Sequence, residues 1–212
     1  MRIVKAQLYN SLKNWSTWII LAVFMFGQVG NLIDKENVKM SLFERNLIFF
    51  RIGNTGLCVL IFTIIVIGKI IKNNYIKNIK ALYEKKERIV VVNTVVSSIY
   101  IIFLYAVNFI IDIFFYFIQK QPMGTAKEFG ELLSYIPIFL CVAMFASIVM
   151  LIVKSTLIGY ICGFAFLFGK DLFFSQMKID DNYIVATIVA VIMFFILYVV
   201  NLLIAKKVYR VI

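Results

Sequence analysis

The chain has 212 residues, 63% of them hydrophobic, with a mean hydropathy of +0.95, a composition that excludes an ordinary soluble domain. Its net charge of +11 does not call for nucleic acid, because the basic residues gather at the ends of apolar runs and not on a polar face. A topology signal together with attraction to anionic lipid accounts for them.

Residues 1–14 open the chain with Val4, Leu8, Leu12 and Trp15 at helical spacing and Arg2, Lys5, Gln7, Asn10 and Lys13 on the opposite side. That pattern predicts an interfacial amphipathic helix, apolar face in lipid and cations among headgroups. A frayed basic leader that only sets topology is the alternative. A signal peptide is not expected, since the next run is too long and lacks a small-residue cleavage site.

Six apolar runs follow, at about 15–33, 47–71, 89–118, 132–153, 155–174 and 183–205. They predict an all-α membrane protein with six transmembrane helices, forming one transmembrane domain over 1–212. Strands are not expected, for the runs lack the alternation of a membrane barrel. In the fifth run only fourteen residues, 155–168, precede Gly169-Lys170-Asp171. At 1.5 Å per residue that is about 21 Å, short of a hydrocarbon core of about 30 Å. Either Leu172, Phe173 and Phe174 extend the helix, or it breaks near Gly169 and turns back.

The connection 69–88, KIIKNNYIKNIKALYEKKER, carries seven Lys/Arg and two Glu. With the N-terminus inside, cytoplasmic segments hold fourteen Lys/Arg (Arg2, Lys5, Lys13, the seven of 69–88, Lys154, Lys206, Lys207 and Arg210) and outer loops only seven. Both termini are therefore expected to be cytoplasmic.

No histidine is present, which removes Ser-His and Cys-His nucleophile arrangements and HExxH zinc sites. There is no phosphate-binding Gly-x-x-x-x-Gly-Lys-Ser/Thr loop, and no pair of carboxylates is placed for acid–base work. Cys58, Cys141 and Cys162 lie inside apolar runs and read as small buried hydrophobes. An enzyme is not expected, nor a metal or cofactor in this chain.

Polar groups inside the runs are the intramembrane candidates. Arg51 and Asp112 both fall near the outer surface, and either they pair across adjacent helices or each reaches headgroups and water alone. Asn93, Asn108 and Asn201 read as interhelical hydrogen-bonding groups. Gly159 and Gly163 form a small-x-x-x-small face on the fifth run, the first choice for a subunit interface.

The stretch Gly68-Lys69-Ile70-Ile71-Lys72-Asn73-Asn74-Tyr75-Ile76-Lys77-Asn78-Ile79, followed by Lys85-Lys86-Glu87-Arg88-Ile89 entering a span, resembles the ABC-2-type permeases, the membrane subunits of ABC exporters. Tyr75-Ile76-Lys77-Asn78 carries the likeness, whereas Asn74 stands where glycine is usual and Asn93 where lysine is. The resemblance implies that 72–88 is a cytosolic coupling segment seated on a separate ATPase. Lys77, Asn78, Lys80, Lys85, Lys86 and Arg88 would then meet a polar surface, and Tyr75, Ile79 and Leu82 would pack. It further implies ATP and Mg held by that partner ATPase, a second permease chain (identical or paralogous), and a bacterial plasma membrane. The expected function is export of an amphipathic substrate such as a peptide, bacteriocin or drug, giving resistance or immunity. The alternative is a membrane immunity or partner-binding protein that transports nothing.

Overall fold

A computed structural model describes residues 2–33, 40–72, 87–176 and 182–208. Among the described residues the chain is wholly helical. The helices are α1 (Arg2–Leu12), α2 (Trp15–Ile33), α3 (Leu42–Arg51), α4 (Asn54–Lys72), α5 (Arg88–Gln119), α6 (Ala126–Val153), α7 (Thr156–Gln176) and α8 (Tyr183–Val208).

Four of these, α2, α5, α6 and α8, are each long and apolar enough to cross a bilayer. α3 and α4 together make a fifth such length, bent by 53° at the break between them. The single run expected over 47–71 is therefore two helices. Ser41 starts the first: its hydroxyl accepts from the Glu44 N–H at 3.1 Å, satisfying one of the donors a helix start leaves open. Gly53, with φ +92°, turns the chain between the two, a backbone state in which side chains other than glycine are strained. α7 runs unbroken through Gly169 to Gln176, so the helix extends as one of the two sequence alternatives required. Its apolar part, Thr156–Gly169, is still short.

α6 is the axis of the bundle. Phe139, Val142, Ala143, Met144 and Ala146 are all 0% exposed, with α4, α7 and α8 packed around them. Pro137 sits inside α6, where it donates no backbone hydrogen bond to the preceding turn. α8, α2 and α5 turn rows of Ile, Val and Phe outward, among them Phe26, Ile110, Ile192 and Phe195, the surface that hydrocarbon covers in a membrane.

Only part of the expected apolar face of α1 is left outward, at Leu12 and the adjoining Trp15. Val4 and Leu8 pack against the bundle core, and Gln7 and Ser11 are buried beside them. The exposed side carries Lys5, Tyr9, Leu12 and Lys13. Gln7 Nε2 donates to the carbonyl of Val66 on α4 at 3.5 Å. Thr17 Oγ1 and Trp18 Nε1 donate to the carbonyls of Ser11 and Leu12, each at 2.7 Å, so α2 caps the end of α1 and fixes the angle between them.

The ends of α4, α5 and α8 gather on the α1 side. There Glu87 and Lys206 pair at 3.1 Å, and Ile89, Val90, Leu151 and Ala205 form a small apolar cluster.

Candidate functional site

At the other end of the bundle, α3 supplies two adjacent polar residues that are both 0% exposed, Arg45 and Asn46. They project from the first turns of a helix whose outer face carries Glu44, so helical spacing turns them inward toward α2 and α5. Arg45 Nη1 donates to the Leu32 carbonyl at 2.6 Å. That carbonyl belongs to the last turn of α2, where acceptors lack intrahelical donors and the helix dipole favours a cation. Asn31 Nδ2 answers by donating to the Arg45 carbonyl at 3.0 Å.

Asn46 connects α2 to α5. Its Oδ1 accepts from Gln28 Nε2, and its Nδ2 donates to Asp112 Oδ2 at 2.6 Å. Asn108, one turn before Asp112, donates to the same oxygen at 3.2 Å. Every amide in this chain of bonds points its N–H toward the carboxylate, the arrangement that holds a buried negative charge. Gln28 Oε1, Asn108 Oδ1 and Asp112 Oδ1 have no donor among the described residues.

The two residues flanking this cluster in the sequence reading separate. Asp112 lies in it at 1% exposure, whereas Arg51 lies exposed at the α3–α4 break. The partners of Asp112 are Asn46 and Asn108, so its pairing with Arg51 is replaced by an amide network. Gln28 and Asn46 carry no signal in the sequence, and Arg45 falls in an expected outer loop; the signal that marks it is Ser41-x-x-Glu44, a helix start preceding it.

Two further junctions tie α3 down. Leu42 and Phe43 N–H groups donate to the carbonyls of Pro122 and Met123, at 3.0 and 2.9 Å. Ser41 Oγ also donates to Glu128 Oε2 at 2.6 Å. Glu128 is itself the third residue of α6, in a reciprocal cap with Thr125. α3 is thus pinned to α2, α5 and the start of α6 at once.

Asn93 sits toward the α1 end, with Thr94 and Asn201. Thr94 Oγ1 and Asn201 Nδ2 both approach Met144 Sδ, at 3.5 and 3.8 Å, placing polar groups of α5 and α8 at one level of α6. The side-chain amide of Asn93 and the Asn201 Oδ1 have no hydrogen-bond partner among the described residues.

Gly159 and Gly163 are buried inside the chain. A Cβ on Gly159 would lie 2.2 Å from Met150 Cγ, and one on Gly163 would lie 2.3 Å from Leu60 Cδ1. Their small face therefore receives α6 and α4, not a second copy. It has the close approach that small residues allow, with the partner helices supplied by the same chain.

Of the residues that the resemblance assigns to ATPase coupling, Arg88 begins α5 and is exposed. Tyr75, Lys77, Asn78, Ile79, Lys80, Leu82, Lys85 and Lys86 lie outside the described residues. Among the described residues, no group of three or more His, Cys, Asp and Glu side chains is placed to hold a metal ion. No family model, curated protein or solved structure matches the chain.

Proposed function

We propose that the chain is the membrane-spanning permease subunit of an ATP-driven exporter of amphipathic cargo. In this reading six segments cross a bacterial plasma membrane with both ends in the cytoplasm. Two such chains enclose the pathway, and a separate ATPase binds ATP and Mg and docks on the basic connection between α4 and α5.

The observation that carries the reading is the way α4 is mounted. One end joins α3 through the two-residue break at Ile52 and Gly53, with α3 itself anchored by Asn46, Arg45 and Ser41. The other end leads directly into the basic stretch that resembles the coupling segment of ABC-2-type permeases. In this reading α4, bent from α3 at a glycine and joined at its far end to the basic connection, would serve as a lever. Hinges in closing proteins are commonly a few element-terminal residues of this kind. Force delivered at the connection would tilt α4 against the pinned outer cluster, opening or closing the space beside α2.

The test is isolation of the chain with the ATPase from its native membrane, followed by Lys77→Glu, Lys80→Glu and Lys85→Glu together. The triple variant is expected to keep its helical content and lose the ATPase. Cargo movement at the normal rate without nucleotide hydrolysis overturns the reading. Protection of the host by a chain that binds no ATPase would instead identify a non-transporting immunity protein.

A further inference from the structure

A cleft of about 580 Å³ separates α2 from α4. Val23, Phe24, Leu57 and Ile61 form its walls, and its lining is apolar except for Ser16 near one end and Asn54 near the other. The far end is closed by Phe49, which packs edge-on against Phe24 at 5.8 Å and lies over Gly27, where an added Cβ would come within 3.2 Å of its ring. The near end is bounded by α1, whose Gln7 bonds to Val66 next to the lining residue Ile65.

Three features decide what fills it. The first is length. From Ser16 to Gly27 the cleft follows α2 for eleven steps of the helix, about 16 Å by helix rise. That is half of a hydrocarbon core of about 30 Å, the depth of one leaflet. A transmembrane helix from another chain would need the full thickness. The second is charge. Lys5 and Lys13 are exposed at the α1 end, and residues 1–33 contain no Asp or Glu. The third is the level of that end in the membrane. Tyr9, Trp15 and Trp18 are exposed there at 65%, 76% and 49%. Aromatic rings of this kind collect at the headgroup boundary.

We propose that the α2–α4 cleft is a binding site for one anionic phospholipid, its acyl chain lying along Val23, Leu57 and Ile61 and its phosphate beside Lys13 and Ser16. At the capped α1–α2 corner the exposed Lys13 precedes the lining residue Ser16 by three residues, which puts a cation and a hydroxyl at the same end of the apolar slot. Apolar walls alone would accept any acyl chain. The lysines select the headgroup, because each basic residue near a membrane surface attracts anionic lipid by about 1 kcal/mol. The site does not depend on the transport reading and does not require a partner protein.

The experiment reconstitutes the full chain into phosphatidylcholine vesicles containing a trace of phosphatidylglycerol with a diazirine in its acyl chain. After illumination, the labelled residues are mapped by mass spectrometry. Labelling is expected to concentrate on α2 and α4 wall residues, several-fold above the lipid-facing row Ile192, Phe195 and Val199 of α8. The same probe on phosphatidylcholine should label the walls less. Ile61→Trp, which fills the slot, should bring wall labelling down to the α8 level, and Leu57→Trp serves the same purpose by a second route. Lys13→Glu should abolish the preference for phosphatidylglycerol while acyl labelling persists. Equal labelling of the walls and α8 overturns the proposal, as does wall labelling undiminished in both filled variants.

Discussion

Asn46 donates to Asp112 across the α3–α5 interface at 2.6 Å, while Gln28 donates to Asn46 from α2. Three helices therefore meet at one carboxylate. Asn46→Leu leaves that carboxylate buried without its shorter hydrogen bond and is expected to cost about 1.5–3 kcal/mol, the range for bonds to charged groups. In an Asp112→Asn background the same change should cost clearly less, because no charge is then stranded. Thermal unfolding of the four proteins in one detergent measures the coupling. Additive costs would mean that the two residues do not support one another.

Gly53 should resist substitution for a reason of backbone and not of space. An added Cβ meets nothing nearer than 3.7 Å, yet φ is +92°. Gly53→Ala is expected to destabilise by roughly 1–2 kcal/mol, the usual cost of a left-handed conformation for an L-residue. If the α3–α4 break is the hinge of a transport cycle, the substitution also slows ATP-dependent cargo movement. Unfolding midpoints and transport rates on the same preparations check both effects.

Gly163→Val drives new atoms into Leu60 and the Cβ of Ala146, which a Gly163 Cβ would already meet at 3.4 Å. Overpacking of this kind costs roughly 1–3 kcal/mol. The expected result is a lower unfolding temperature with unchanged oligomeric mass in native mass spectrometry. A change of oligomeric state at constant stability would return these glycines to a subunit interface.

Thr125→Ala removes the side-chain half of the cap on α6 and is expected to cost about 1 kcal/mol. Ser41→Ala should cost a comparable amount at α3. Because Ser41 and Thr125 both bond to Glu128, the two losses are expected to be non-additive, which a double-mutant cycle in thermal unfolding reads directly.

Apolar run length located the helices well where a helix is straight. The run 15–33 coincides with α2, and 183–205 lies within α8. It failed at 47–71 because a hydropathy average does not register a change of direction, even though the turn residues Ile52 and Gly53 stand between the polar Arg51 and Asn54. Helix rise gives the height of Asp112 along α5, but height along one helix says nothing of rotation. Only packing reveals that Asp112 faces Asn46. The same limit applies to Gly159 and Gly163: the spacing announced a close contact, and the identity of the partner lay in α4 and α6. For α1 the periodicity was real, but Val4 and Leu8 found protein where lipid was expected.

Lys154 and Ser155 are the whole of the link between α6 and α7, with Lys154 in a left-handed turn at φ 55°. Two helices joined so tightly form a hairpin that no polar loop separates. During biogenesis the short apolar stretch of α7 is too brief to partition into hydrocarbon unaided. On the six-span reading proposed above, α7 enters the bilayer together with α6, whose long apolar body supplies the free energy of insertion. On that reading, lengthening the elbow with a flexible polar spacer would leave α7 stranded outside the membrane in a share of newly made chains.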